Sequence, residues 1–165
     1  TQIRSSAASD VYKRQAIGYQ WYWGYEYPDE NIIFDSYMID EKDLKENQPR
    51  LLAVDNAVYV PVNKVVKVMI TANDVLHAWA LPSFGVKRDA IPGRINETWF
   101  KADRTGTFYG QCSELCGIKH AFMPITVNVV SEEEYNKWLE EAKVKFAKEE
   151  INNNIKVAKK IKEIK

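Results

Sequence analysis

Residues 107–130 read TFYGQCSELCGIKHAFMPITVNVV, and this segment is the strongest indication of the fold class. Its two ends, Thr107–Gln111 and Ile125–Val130, are short and rich in β-branched and aromatic residues, which predicts two strands joined by one loop. Four side chains that can bind a metal lie between them: Cys112, Cys116, His120 and Met123. The same loop is therefore the first candidate for a functional site.

Strand patterns recur on the N-terminal side of this segment. Val66, Val68 and Ile70 alternate with other residues in the period-2 pattern of a half-buried strand. Three more strands are predicted at Leu51–Val54, Ala57–Val62 and Glu97–Lys101. The aromatic run within Ala16–Tyr27 fits a strand with rings on both faces, or a belt at a membrane surface. Asp29–Gln48 is acidic and is predicted to be a loop. Many short strands indicate an all-β sandwich or barrel.

Changes in composition divide the chain into four segments. The predicted segments are a disordered leader or foreign junction at residues 1–15, a β domain at 16–130, a helix at 131–150 and a low-complexity, Lys-rich tail at 151–165. The tail could extend the helix weakly or remain disordered. The helix begins with a capping box, because Ser131 is followed three residues later by Glu134. Tyr135, Trp138 and Leu139 then recur at helical spacing, which predicts one apolar face.

The overall composition excludes several classes of protein. Hydrophobic residues make up 45% of the 165 residues and the formal net charge is zero, so the chain resembles a folded globular domain and does not suggest a nucleic-acid-binding protein. Two cysteines are too few for a disulfide-rich scaffold. The sequence contains neither a run of roughly 20 apolar residues that could span a bilayer nor a signal peptide of the usual form.

The loop residues suggest a copper site, because thiolates, thioethers and imidazoles all suit copper. The sequence has only two histidines, so a second imidazole must come from His77. Three other interpretations remain open from the residues alone. Cys112 and Cys116 could form a disulfide, or the two cysteines and two histidines could bind a structural zinc ion. His77 and Met123 could also be ordinary core residues. A mononuclear blue-copper site is disfavoured, because it needs only one cysteine.

Four motifs together resemble one family. They are QWYWGYEY at residues 20–27, DVLHAW at 74–79, DAIPGR at 89–94 and CSELCGIKHAFM at 112–123. In this order they are similar to the copper A (CuA) domain of cytochrome c oxidase subunit II, from about Ala16 to Trp138. The resemblance implies a cupredoxin-like Greek-key β-barrel or sandwich with a C-terminal α-helix.

The resemblance also implies a set of metal ligands. The side-chain ligands of a dinuclear copper centre would be His77, Cys112, Cys116, His120 and Met123. Glu114 would contribute its backbone carbonyl, and both thiolates would bridge the two copper ions. The Glu114 carboxylate would help to hold Mg²⁺ or Mn²⁺ at the border with oxidase subunit I.

Further expectations concern the partners implied by the resemblance. Trp21 would be the residue through which an electron arrives from cytochrome c, and Glu26, Asp55 and Asp74 would help to dock that basic protein. The electron would pass to subunit I, where oxygen is reduced to water. The family has two N-terminal membrane helices that this sequence lacks, so we expect a fragment or a split subunit. Its site would face the bacterial periplasm or the mitochondrial intermembrane space.

Three other functions fit the sequence less well. A copper carrier or thiol-reducing assembly factor would hold a single Cu(I), whereas this sequence offers five side-chain ligands. The subunit II of a quinol oxidase lacks the copper ligands that are all present here. The copper A domain of another reductase, such as nitrous oxide reductase, has a similar metal site, but residues 20–27 and 89–94 favour the oxidase.

Overall fold

The computed structural model describes residues 11–163, with side chains described through Ala147. Within this range the chain forms ten strands and one long helix, α1 (Glu132–Glu163). The strands are β1 (Val11–Tyr19), β2 (Tyr22–Tyr27), β3 (Ile32–Ser36), β4 (Val58–Pro61), β5 (Val65–Ala72), β6 (His77–Leu81), β7 (Val86–Ala90), β8 (Asn96–Lys101), β9 (Gly106–Cys112) and β10 (Pro124–Val130). Three short 3-10 helices lie at Glu41–Asp43, Pro82–Phe84 and His120–Phe122.

The strands form two five-stranded sheets. Their orders are β3-β2-β1-β5-β8 and β4-β10-β9-β6-β7, with parallel pairing of β1 with β5 and of β4 with β10. Apolar side chains from both sheets share one buried core that includes Trp23, Ile70, Trp79 and Val127. The predicted all-β architecture with a C-terminal helix is confirmed, because each sheet buries its apolar face against the other.

The aromatic run forms a hairpin. Strands β1 and β2 pair antiparallel up to Tyr19 and Tyr22, and Gln20 and Trp21 form the connection. Trp23, like Tyr25 and Tyr27, is buried in the core, so this part of the run is the inner face of a strand. Trp21 is only partly buried at the tip of the hairpin.

Strand β6 brings two distant parts of the sequence together. All five of its residues are buried, and it pairs with β7 on one side and with β9 on the other. Because Trp79 lies opposite Cys112 in the β6–β9 pair, His77 at the start of β6 comes next to the loop after β9. A strand buried on both faces lacks the polar alternation on which strand prediction depends, so β6 was not predicted.

The helix begins where the capping box predicted. The Glu134 backbone N–H donates to Ser131 Oγ at 3.2 Å, and the Ser131 backbone N–H donates to Glu134 Oε2 at 3.1 Å. The Trp138 ring stacks on Tyr59 of β4 at a centroid distance of 4.7 Å. The helix continues through Glu163, so residues 151–163 of the predicted tail extend it. No helix within residues 11–163 has the length and hydropathy that crossing a membrane would require.

Two loop and strand predictions are wrong. The segment predicted as an acidic loop contains β3, in which Ile32, Phe34 and Ser36 are buried while Asp35 faces outward. The apolar Ile33 faces outward and the polar Ser36 faces inward, so the sequence lacks the apolar–polar alternation expected of a half-buried strand. Conversely, residues 51–54 form no strand, because Leu51 adopts a left-handed φ of 65° and Val54 makes only an isolated bridge to Met38.

The predicted boundary at residue 16 is five residues late. Strand β1 begins at Val11, which pairs in parallel with Val65, so residues 11–15 belong to the sheet and not to a disordered leader. Any side chains could accompany this main-chain pairing, so the pairing does not test whether residues 11–15 have a foreign origin. That origin stays a prediction. Residues 1–10 of the predicted leader and residues 164–165 of the predicted tail lie outside the described residues.

Candidate metal centre

The proposed ligands converge at one end of the sandwich. Cys112 Sγ lies 3.8 Å from His77 Nδ1, 3.9 Å from Cys116 Sγ and 3.3 Å from the backbone oxygen of Glu114. The ligand atoms of His77, Cys112 and Cys116 all lie within 4.8 Å of one another. The loop after β9 thus brings its two thiols to the imidazole at the start of β6.

Cys116 has two further neighbours. Its Sγ lies 3.5 Å from His120 Nδ1 and 3.6 Å from Met123 Sδ. Donors bound to one tetrahedral metal at roughly 2.0–2.3 Å are about 3.3–3.8 Å apart, which is close to the spacings in this cluster. Both thiols and Met123 are buried, while His120 is partly exposed. The cluster therefore has the donor spacing and the shielding from water of a metal centre.

The chemistry of the donors fits copper. Both cysteines are free thiols, so the structure does not contain the alternative Cys112–Cys116 disulfide. Two sulfur and two nitrogen donors could also hold zinc, but the Met123 thioether beside Cys116 would then have no ligand role. A thioether is a soft donor that suits copper. The residues present thus fit a copper centre.

The two thiols ionise at different pH values. Burial alone would raise the pKa of Cys112, but hydrogen bonds to His77 and to the backbone of Ala78 and Glu114 lower it to about 7. Burial and the neighbouring charge of Cys112 raise the pKa of Cys116 to about 12. Cys112 therefore becomes a thiolate first. A cation bound between the sulfurs would stabilise both thiolates.

A carboxylate holds His77 from the side away from the sulfurs. Asp74 Oδ1 lies 2.9 Å from His77 Nε2, and Asp74 also accepts hydrogen bonds from the backbone N–H groups of Gln20 and Val75. Burial would raise the pKa of Asp74, but these three donors lower it. Burial would lower the pKa of His77, but Cys112 and Asp74 raise it. With Nε2–H donating to Asp74, the Nδ1 lone pair points toward the cluster.

Trp21 directly contacts the segment 112–123 that carries the cysteines, which we call the metal loop. Its Nε1–H donates to the backbone oxygen of Cys116 at 3.2 Å, and the Gln20 side chain donates to the same oxygen at 2.8 Å. Gly117 adopts a φ of 120°, and a Cβ atom there would lie 3.0 Å from Trp21 Cζ2. A side chain at Gly117 would thus strain the backbone and crowd the indole. Sequence reasoning missed Gln20, whose only signal was its place next to Trp21.

The predicted docking acids lie in different surroundings. Burial, followed by the charges of Asp35, Glu26 and Asp74, raises the pKa of Tyr19. Asp35 was not predicted as a site residue, because it lay in a segment interpreted as a loop. Asp55 is exposed and accepts hydrogen bonds from the backbone N–H groups of Tyr37 and Asn56, which gives it a role in a turn.

Comparisons with known proteins agree with the architecture. The family described as "Cytochrome C oxidase subunit II, periplasmic domain" matches residues 13–130. Cytochrome c oxidase subunit 2 of Cereibacter sphaeroides is 56% identical over 147 residues, which cover 78% of this chain and 48% of the relative. The subunit 2 of Phytophthora megasperma is 57% identical over 131 residues, covering 76% of this chain and 49% of the relative.

Two solved structures are also similar. The periplasmic domain of subunit II of cytochrome oxidase from Bradyrhizobium japonicum has a TM-score of 0.76 and 60% identity, covering 82% of this chain and 95% of that one. Subunit II of cytochrome c oxidase in a mixed-disulfide intermediate with a thioredoxin-like protein has a TM-score of 0.72 and 55% identity, covering 88% of this chain and 99% of that one. The fold is therefore cupredoxin-like.

The similarity covers most of this chain but only part of each curated relative. This chain spans about half or less of the length of the curated relatives that it matches, as the shares of 48% and 40% for two bacterial relatives show. The match nevertheless covers most of this chain, including every residue of the candidate metal centre. The chain belongs to the cytochrome c oxidase subunit II family.

Proposed function

We propose that this chain is the copper-binding, electron-accepting domain of a cytochrome c oxidase subunit II. It would take electrons from cytochrome c at a dinuclear copper A centre and pass them to subunit I for the reduction of oxygen to water. One observation carries the proposal: two buried free thiols lie 3.9 Å apart, and each has an imidazole nitrogen within 4 Å. Two thiols that close together can be shared by a pair of metal ions.

The residues of this chain would hold the copper ions and keep them from water. A copper pair, when bound, supplies a one-electron acceptor. His77 and Met123 are almost completely buried, at 0% and 1% exposure, which leaves little room for solvent or substrate at the site. The ligands lie on β6 and in the short loop between β9 and β10, so paired strands limit their movement. Such restraint suits electron transfer, which needs donors that move little.

We propose Trp21 as the residue through which electrons arrive. It is partly exposed at the tip of the β1–β2 hairpin, and its indole N–H is bonded to the Cys116 carbonyl. The indole therefore links the surface to a ligand residue through a single hydrogen bond. Glu26 lies on strand β2 of this hairpin, and Asp74 accepts a hydrogen bond from the backbone N–H of Gln20 at its tip. Both would attract a basic cytochrome c together with Asp55.

Glu114 and its neighbours suit contact with subunit I. Glu114 is exposed while its carbonyl oxygen lies 3.3 Å from Cys112 Sγ, so its carboxylate could share a Mg²⁺ or Mn²⁺ ion with that subunit. Leu115 and Ile118 are also largely exposed, and exposed apolar residues beside a buried site suit a protein interface. The domain would lie on the periplasmic face of a bacterial inner membrane, or on the intermembrane-space face of the mitochondrial one.

Copper loading of the 165-residue chain tests the proposal. We expect two copper ions per chain and an electron paramagnetic resonance spectrum in which one unpaired electron is shared by both. Cys116→Ser should abolish that spectrum, because a hydroxyl oxygen cannot bridge as a soft thiolate does. Ser113→Ala, a change in the same loop outside the ligand set, is the matched control and should preserve it.

Two results would overturn the proposal. Saturation at one copper ion per chain would indicate a copper carrier, because a carrier needs only one Cu(I). A spectroscopically silent protein with stoichiometric zinc would indicate a structural zinc site, the other interpretation that the donor set allows.

A further inference from the structure

The imidazole of His77 lies against the backbone of β1 at Gly18. A Cβ atom built at position 18 would lie 2.7 Å from Cδ2, 2.8 Å from Cγ and 3.0 Å from Cβ of His77. Nonbonded carbon atoms pack at about 3.5–4.0 Å, so a methyl group at this position would overlap the imidazole by roughly 1 Å. His77 is completely buried, so its ring occupies the space that a side chain at position 18 would need.

The backbone conformation does not explain the glycine. The described glycines with a left-handed φ are Gly85, Gly93, Gly106 and Gly117. Gly18 is not among them, and it lies in the regular part of β1, opposite Trp23 of β2 and Ala72 of β5. Any residue could adopt this conformation, and glycine in a strand interior weakens the strand. The close approach of the His77 ring is the physical reason for a glycine here.

The strand cannot retreat to make room for a larger residue. β1 lies in the middle of its sheet, between β2 and β5, and the Gly18 carbonyl also accepts a hydrogen bond from the Asn73 backbone N–H at 3.0 Å. The Trp23 indole is a further neighbour of the imidazole, with ring centroids 6.0 Å apart. A methyl group at position 18 would therefore displace the imidazole before it displaced the backbone.

We infer that Gly18 is a positioning residue for the metal centre: its missing side chain allows His77 to direct Nδ1 at Cys112. This inference rests on the proposed function, because it assumes that His77 is a metal ligand. Gly18 touches neither sulfur nor metal and acts only through the imidazole. A small displacement of that ring changes the direction of Nδ1 and separates Nε2 from Asp74, which lies 2.9 Å away.

Gly18→Ala tests the inference, with Gly24→Ala as the matched control. Gly24 lies in the neighbouring strand β2, and a Cβ atom there would approach Tyr19 Cε2 to 3.0 Å, at the far end of a side chain that can move. We expect Gly18→Ala to weaken copper retention against a chelator by roughly tenfold or more, the usual cost of disturbing a residue that orients a ligand. Its copper spectrum should also change, whereas Gly24→Ala should keep both properties.

A double-mutant cycle on the copper-free chain tests the contact independently of copper. We expect Gly18→Ala to lower the midpoint of thermal unfolding clearly, and to lower it much less in the His77→Ala background, where the methyl group meets no imidazole. If Gly18→Ala alone fails to fold, restoration of folding by His77→Ala would equally show that the methyl group clashes with the imidazole. Wild-type copper retention and spectrum in Gly18→Ala, or additive changes in the cycle, would overturn the inference. A wild-type chain that binds no copper pair, with the coupling intact, would instead contradict the proposed function and with it the role at a metal centre, whereas the placement of the His77 imidazole by Gly18 would be confirmed.

Discussion

At the scale of single residues, Asp74 has a role beyond surface charge. Its carboxylate accepts hydrogen bonds from His77 Nε2 and from the backbone N–H groups of Gln20 and Val75, so it joins the β1–β2 hairpin to the proposed metal ligand His77. A carboxylate that orients a ligating histidine also fixes its tautomer. Asp74 therefore bears on the geometry of the metal centre as well as on any partner.

We predict that Asp74→Asn destabilises the copper-free chain most between about pH 4 and 6.5. Asp74 has a lowered pKa, so its contribution is complete above the usual value of 3.8 and is lost as the pH falls through the lowered pKa. His77 has a raised pKa, so its contribution is complete below the usual 6.5 and is lost as the pH rises through the raised value. Thermal unfolding should therefore separate wild type from Asp74→Asn more at about pH 5.5 than at about pH 9. An equal difference at both pH values would contradict the pairing.

Met123→Leu should preserve the copper centre and change its reduction potential. Leucine has a similar volume, so the buried position next to Cys116 should still be filled and the copper-free chain should remain folded. Removing a weak soft ligand should shift the potential on the order of tens of millivolts. Redox titration of the copper-loaded protein measures the shift, and an unchanged potential would show that Met123 is only a core residue.

At the scale of secondary-structure elements, the start of α1 offers the most direct test. Ser131→Ala should lower the free energy of unfolding by about 1 kcal/mol, because the Glu134 N–H loses its capping acceptor. Denaturant unfolding measures this loss. Glu134→Gln is the control, since glutamine can still accept from the Ser131 backbone N–H and should cost less. The copper spectrum should be the same in both variants, because neither residue contacts the metal loop.

The elements also show which parts of the fold a sequence can predict. Cys112, Cys116 and Met123 lie within one short loop, so their spacing alone indicated a common site. The contacts of Asp74 with Gln20 and of Trp21 with Cys116 join segments that are 54 and 95 residues apart. They depend on the packing of the β1–β2 hairpin against the β5–β6 connection and against the loop after β9. No local pattern encodes such contacts. The first strand was placed too late for a related reason, because residues 11–15 gain their order from pairing with β5.

At the scale of the whole molecule, the metal centre and the start of the helix lie at opposite ends of β1. Tyr12 near the beginning of the strand packs on Tyr135 of α1 with ring centroids 5.4 Å apart, and Gly18 near its end packs on His77. Six residues of extended chain separate these contacts by roughly 20 Å. Charges at the start of α1 therefore lie about two Debye lengths from the metal centre at 0.1 M salt. They should be screened from a partner that is bound at the metal centre.

Because of this separation, we predict that the effect of a carboxylate on the rate of association with cytochrome c depends on where that carboxylate lies. Glu26→Gln should slow association with cytochrome c by roughly two- to fivefold at low ionic strength and reduce its salt dependence, because steering by charge acts mainly on the association rate. Glu133→Gln removes the same charge at the start of α1, where the residue is exposed, and should have little effect. Stopped-flow reduction of the copper-loaded chain over a series of salt concentrations measures both variants. Equal slowing by both would mean that net charge alone attracts the cytochrome, and that Glu26 forms no part of a docking surface.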